Sequence, residues 1–232
     1  MTETKTRGFF FLGMTRSLTK GRALTGRMLL LAAVWSITGC LERPHLNIQS
    51  FTFGTSTTQG APPIPGARIL SIRTLQVAVP FDSRFLVYRT GEFSYQHDPY
   101  AEFLVSPVED LALPIRGWMR NSGAFSAVAE NNSALKPNLV AEISVNELYG
   151  DFRQPEHAAA VLAIHFVFLH PINGVFEKVI FEKSYSQSIP MKARTASALM
   201  EGWNKALLQI LAEVVSDLKR SNGEDLGLVP PT

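Results

Sequence analysis

The chain of 232 residues has one cysteine, Cys40. A lone thiol forms no intrachain disulfide, so the fold must rest on its packed core. Charged residues make up only 18% of the chain, and the net charge of +2 is too small to give nucleic acid a basic footing. Long apolar runs are also missing. The stretch Met28-Leu29-Leu30-Leu31-Ala32-Ala33-Val34-Trp35 falls well short of the roughly 20 residues that span a bilayer as a helix. There is no Gly-x-Ser-x-Gly elbow, no His-Glu-x-x-His pair and no phosphate-cradling Gly loop. The commonest sequence signals of hydrolases, zinc proteases and nucleotide-binding enzymes are therefore absent.

What is present begins with an uneven charge. Residues 1–39 hold six basic groups (Lys5, Arg7, Arg16, Lys20, Arg22, Arg27) against one acid, Glu3, which leaves 16 basic and 19 acidic residues in the remainder, near −3. A basic leader on a mildly acidic domain is the pattern of a targeting segment. After the basic region and the short apolar stretch comes Ser36-Ile37-Thr38-Gly39-Cys40. The last four residues resemble the lipobox of bacterial lipoproteins, in which a branched apolar residue and two small residues precede a cysteine. Small side chains admit the peptidase, and the sulfur is the nucleophile that takes the lipid. The resemblance implies that 1–39 is a cleaved signal peptide, that Cys40 is the acylation site, and that 40–47 is a lipidated tether. Leu41 stands where Asp commonly signals inner-membrane retention in enteric-type lipoproteins, so the expected location is the periplasmic face of the outer membrane.

Residues 48–220 read as one domain, and the polar tail 221–232, ending in Pro-Pro, is predicted to be disordered. Alternation marks strands at Ile48–Phe53, Ile69–Val79 and Leu139–Tyr149, and a hairpin of Arg84–Arg89 with Gly91–Tyr95 joined at Thr90-Gly91. Ala158–Leu169 and Val175–Ser186 form a further pair across His170-Pro171-Ile172-Asn173-Gly174, where Asn-Gly readily takes positive φ. The last three strands thus make an antiparallel meander. One helix opens at Ser106-Pro107-Val108-Glu109, a capping box with Pro at the first helical position, and Pro114 predicts a kink or early break in it. A second, about Ala193–Lys219, carries Leu199, Trp203, Leu207, Ile210, Val214 and Leu218 on one stripe. The expected class is α+β, a mainly antiparallel sheet with two helices packed on one face.

Candidate chemistry is sparse. Of five histidines, His165 and His170 lie five apart on a predicted strand and so point to opposite faces, which suits one facing solvent and one at a turn better than a shared metal. His97-Asp98 beside Tyr95 and Tyr100 could orient a general base, and a polar loop after the hairpin explains it equally well. Glu109 and Asp110 stand at a helix start, where carboxylates favour the dipole.

The order of features, with Leu70-Ser71-Ile72-Arg73-Thr74-Leu75-Gln76-Val77-Ala78-Val79-Pro80-Phe81, then Leu86-Val87-Tyr88-Arg89, Phe93-Ser94-Tyr95, the Pro-led helix, Ser122-Gly123-Ala124-Phe125 and the long last helix, resembles the auxiliary lipoproteins of ABC-type transport systems, the group containing paraquat-inducible protein C. The resemblance implies a non-catalytic periplasmic subunit with no cofactor beyond the covalent lipid. It would work with a mammalian-cell-entry (MCE) domain protein, a permease and an ATPase in carrying lipids or other hydrophobic molecules between membranes. It also implies that homo-oligomeric rings can form. Tyr88, Arg89 and Tyr95 match the family's motif without an assigned chemistry. A structural role, with Arg89 pairing an acid and the tyrosines packing across the hairpin, is the simpler expectation, and ligand contact the other. An unrelated envelope-assembly or cell-wall lipoprotein, and a periplasmic enzyme built on His97-Asp98, are the alternative readings.

Overall fold

The computed structural model describes residues 47–54, 60–63, 67–130, 133–172 and 176–220. The expected leader, Cys40, nearly all of the tether, the Asn173-Gly174 turn and the 221–232 tail lie outside the described residues. The chain divides after His45, and everything described belongs to the second unit. In chain order its elements are β1 (Gln49–Phe51), β2 (Ile69–Val77), a 3₁₀ turn (Val79–Phe81), β3 (Phe85–Arg89), β4 (Tyr95–Phe103), α1 (Pro107–Asn121), β5 (Ala127–Ala129), β6 (Leu139–Asp151), β7 (Ala159–Ile172), β8 (Phe176–Pro190) and α2 (Ala196–Arg220).

Strand β6 is the spine. One edge pairs antiparallel with β7, from Val140↔Leu169 to Asp151↔Ala159. The other edge is shared. Its first half runs parallel to β2, from Leu70↔Leu139 to Val77↔Val145, and its end runs parallel to β3, at Tyr88↔Gly150 and Arg89↔Asp151. The Ala78 amide donates to the Val145 carbonyl at 2.8 Å, so β2, the 3₁₀ turn and β3 follow β6 as one interrupted strand. Beyond them lie β5, parallel to β2, then β4, antiparallel to β3, and β1, parallel to β4. On the far side β8 pairs antiparallel with β7 from Ala159↔Pro190 to Ile172↔Phe176.

The α+β class and the β6–β7–β8 meander are as the sequence predicts. The sheet is mixed: its two longest pairings are antiparallel, while four of the seven are parallel. Parallel neighbours need crossovers and carry no hairpin signal, which is why local patterning misses them. The second hairpin strand also differs from expectation, since β4 begins at Tyr95, where that strand was expected to end. His97-Asp98 reads as a polar loop after the hairpin, but both residues lie within β4. Here Pro99 falls where the β3–β4 register slips between Phe85 and Val87, so its missing N–H interrupts no ladder bond to β3.

Both helices lie on the sheet, α2 over β7 and β8 and α1 over β2 and β5, and they touch each other. Every residue of the predicted α2 stripe is buried. Trp203 forms a three-ring cluster with Phe53 and Phe103, each pair about 6 Å apart, and its indole N–H donates to the Val161 carbonyl at 3.0 Å. Gly202 lets the helix come close, because a Cβ there would lie 2.5 Å from the Ala160 Cβ. The capping box of α1 forms as expected: the Ser106 hydroxyl accepts from the Glu109 amide, and the Glu109 carboxylate accepts from the Ser106 amide. The early break at Pro114 does not occur. Leu111 and Ile115, on either side of it, are fully buried and hold the helix to Asn121.

Asp110 departs from the simple dipole reading, because it is buried and tied to another segment. It accepts from the Thr52 hydroxyl at 2.5 Å and the Phe53 amide at 3.1 Å, fastening the chain after β1 to the first turn of α1. Burial pushes its carboxyl above the usual range, and these two hydrogen bonds oppose that rise.

Two predictions follow from this packing. Gly202→Ala should cost about 1–3 kcal/mol through overpacking, and adding Ala160→Gly should recover part of the loss. Additive urea midpoints would refute the contact. Asp110→Ala should cost about 1–3 kcal/mol by orphaning two donors, with faster hydrogen exchange at the Phe53 amide as the local sign.

Candidate functional site

The three motif residues lie at the base of the β3–β4 hairpin, divided between its two faces. Tyr88 and Arg89 are adjacent on β3, so their side chains leave opposite faces of the sheet. The Tyr88 ring stacks on Phe152 at 4.6 Å between centroids, and its hydroxyl donates to Asp98 at 2.6 Å. The other Asp98 oxygen accepts from the Tyr100 amide at 2.8 Å. Gly150, the register partner of Tyr88, leaves room for the ring: a Cβ there would lie 2.9 Å from its Cδ1.

On the other face the Arg89 guanidinium lies over the rings of Tyr95 and Tyr149, 5.8 and 5.9 Å from their centroids. Its Nε and Nη2 donate to the carbonyls of Gly91 and Glu92, at 3.3 and 2.8 Å. The acid expected as its partner is replaced by these two carbonyls, so Arg89 holds the turn from below. Phe81, carried in by the 3₁₀ turn, stacks on Tyr149 and meets Tyr95 edge-on. The expected packing of Tyr95 across the hairpin is present, with Arg89 as its register partner. No sequence signal marked Phe81, Tyr149 or Phe152 as members of this cluster; only the parallel β3–β6 pairing brings them in.

The electrostatics suit a brace. Burial raises the Tyr88 phenol far above the usual tyrosine range, and the hydrogen bond and charge of Asp98 add to the rise. Burial likewise raises Tyr149, against the opposing hydrogen bond from Arg89. Hydrogen bonds from Arg153 hold the Asp151 carboxyl below the usual range. Both tyrosines therefore stay protonated at neutral pH and act as donors and aromatic surfaces.

His97 and Asp98 are not brought together. They are consecutive on a strand and leave opposite faces; His97 meets Phe85 edge-on while Asp98 binds Tyr88. The His170 Nδ1 lies 3.0 Å from the Asn138 carbonyl oxygen. His165 holds an arrangement that sequence spacing did not reveal. Its Nδ1 lies 2.9 Å from the Ser184 hydroxyl, directly across the β7–β8 ladder, and its Nε2 lies 3.2 Å from Glu182. Hydroxyl, imidazole and carboxylate are in relay order. Hydrolysis further requires oxyanion donors and a cavity for the acyl group; this trio stands on an open sheet face, with the Glu182 side chain 57% exposed. Among the described residues no group of three His, Cys, Asp or Glu side chains could hold a metal ion. No described helix is long and apolar enough to cross a membrane.

No family model matches the sequence, and no curated protein does. Solved structures do match. One is protein XCC0632 from Xanthomonas campestris, described under the family-model name DUF330, with a TM-score of 0.64 at 18% identity over 76% of this chain and 98% of that one. Another is an uncharacterized protein, with a TM-score of 0.54 at 10% identity over 69% of this chain and 99% of that one. A slighter likeness, TM-score 0.34 at 12% identity over 65% of this chain and 90% of that one, is to a PelC dodecamer from Paraburkholderia phytofirmans. The first two show that the fold is shared.

The tyrosines give the site a pH signature. Tyr185, bonded to Asp217 at 2.8 Å, is raised as Tyr88 is, chiefly by burial. Above pH 10 the unfolded chain releases these phenolic protons while the folded chain keeps them, so stability falls as pH rises. Tyr88→Phe and Tyr185→Phe should each flatten that fall in urea midpoints taken from pH 9 to 11, and an unchanged slope would show that the phenols are not held.

Proposed function

We propose that this chain is an envelope lipoprotein, held at the periplasmic face of the outer membrane by acylated Cys40, whose α+β domain is a non-catalytic docking subunit of an MCE-type ABC transport system moving lipids or other hydrophobic molecules between the two membranes. The observation that carries the reading is the lipobox-like Ile37-Thr38-Gly39-Cys40 ahead of a domain whose three motif residues brace one hairpin base from its two faces, Tyr88 on one and Arg89 with Tyr95 on the other. Scattered positions would have suggested chance matches; residues that brace one element suggest a surface whose shape is under constraint. A tethered domain also gains effective concentration for a partner reaching across the periplasm, so a weak docking contact suffices. The proposal includes self-association. The 15-residue strand β8 pairs only with β7 among the described strands, and a free edge of that length can take a second chain.

A periplasmic hydrolase is the second reading, and the Ser184–His165–Glu182 relay is the observation in its favour. An unrelated envelope-assembly or cell-wall lipoprotein would share the anchor and differ in its partner.

Crosslinking in intact cells should capture an MCE-domain protein with the wild type and less of it with Cys40→Ala, and palmitate should label only the wild type. Capture of an outer-membrane barrel or peptidoglycan instead would sink the transport reading in favour of the unrelated lipoprotein. A Ser184→Ala phenotype without loss of the MCE contact would favour the hydrolase.

A further inference from the structure

The chain enters the domain from a defined side. Strand β1 runs parallel to β4, with Gln49 level with Ala101 and Phe51 level with Phe103. Its upstream residues therefore arrive from the end of the sheet where β4 begins. That end is sharply drawn, because Tyr95, Arg89, Asp151, Ala159 and Pro190 are successive register partners across five strands. Beyond this line lie the hairpin tip 90–94, the β6–β7 loop and the β8–α2 loop.

The tip is fastened rather than loose. The Thr90 and Gly91 amides both donate to the Ser94 carbonyl, at 2.9 and 3.3 Å, and Arg89 holds the carbonyls of Gly91 and Glu92 from beneath. From this fixed turn Phe93 projects with 89% of its surface exposed, the most exposed large hydrophobic side chain among the described residues. Ordering a turn around an outward-facing phenylalanine makes sense if an apolar medium receives the ring.

Tether length decides which end such a medium can reach. Cys40 is seven Cα steps from Asn47, a span of at most about 25 Å. From the level of Gln49 to the line through Tyr95 is six residues of β4, less than about 20 Å because the β3–β4 register slips there, in the direction from which the chain already comes. The opposite end, at Leu139, is nine residues of β6 the other way, about 30 Å, and would require the tether to reverse.

We propose that the hairpin end is the membrane-facing surface of the domain and that Phe93 seats in the lipid interface. This rests on the acylation of Cys40. Charges at this end nearly cancel, with Glu92, Asp151 and Glu156 against Arg89, Arg153, Lys192 and Arg194, and the Arg89 guanidinium is taken up by the turn carbonyls beneath the tip, so the contact is an aromatic wedge and not an anionic-lipid site. The Arg89–Tyr95 brace beneath the tip then has a purpose: it sets the angle of the wedge.

Acylation removes the only native thiol, so an introduced cysteine labels uniquely. The full chain, matured in cells as Phe93→Cys or Leu135→Cys, would carry an environment-sensitive dye into phosphatidylethanolamine and phosphatidylglycerol vesicles containing a shallow nitroxide lipid. Leu135 is the control because it is 45% exposed in the loop before β6, at the opposite end. The expected result is a blue shift and several-fold stronger quenching at position 93. Equal quenching at both positions, or stronger quenching at 135, in protein that carries the lipid mass and floats with the vesicles overturns the orientation alone. Protein that lacks the lipid mass and does not float overturns the anchor, and the orientation with it.

Discussion

Everything in the domain hangs on the way β6 divides one edge between two partners. Its first half takes β2 and its last residues take β3, so the intervening 3₁₀ turn must sit flush against the ladder. Val79-Pro80-Phe81 meets that demand. Proline stands in the turn where its missing N–H is harmless, and Phe81 swings onto Tyr149 of β6. Without that division β3 would have no place on the spine, the β3–β4 hairpin would lose its floor, and Arg89 would lose one of its two rings.

The same division explains what could be read in advance and what could not. Helix α2 was legible because Leu199, Trp203, Leu207, Ile210, Val214 and Leu218 repeat at helical spacing, and the start of α1 because its capping residues act within four positions. The meander of β6, β7 and β8 was legible because alternation and a turn signal are also local. Strand β5 has three residues and pairs in parallel with a strand some sixty positions upstream, so nothing nearby announced it. In the site, Tyr88, Arg89 and Tyr95 could be named from resemblance, while the floor on which they rest comes from residues separated by up to about sixty positions in the chain. The Ser184–His165–Glu182 relay was hidden for a different reason: the β7–β8 register shifts between Phe168 and Leu169, so counting back from the turn does not give the partner of His165.

Charge is used locally and on the surface. Lys183 and Arg220 both engage Asp217, which also accepts from Tyr185, and their pull holds that carboxyl below the usual range. Arg116 and Arg120 share Glu130, joining α1 to the end of β5. Exposed pairs of this kind add little stability one at a time. Their effect here is to fix which helix residue sits over which strand, while the buried ring stack of Phe53, Phe103 and Trp203 supplies the cohesion.

The glycine seat beneath α2 also shapes the layer between helix and sheet. Gly202 on the helix comes down on Ala160 of β7, while Gly150, beside Ala160 on β6, leaves its space to the side chains of Leu199 and Tyr88. Further along β7 the layer must accommodate Phe166 and Phe168, both fully buried. Along β7 the filling of the layer thus passes from small residues to rings. Because a Cβ on Gly202 would run into Ala160, a side chain added there must lift α2 from β7, and the rings beyond would lose part of their cover.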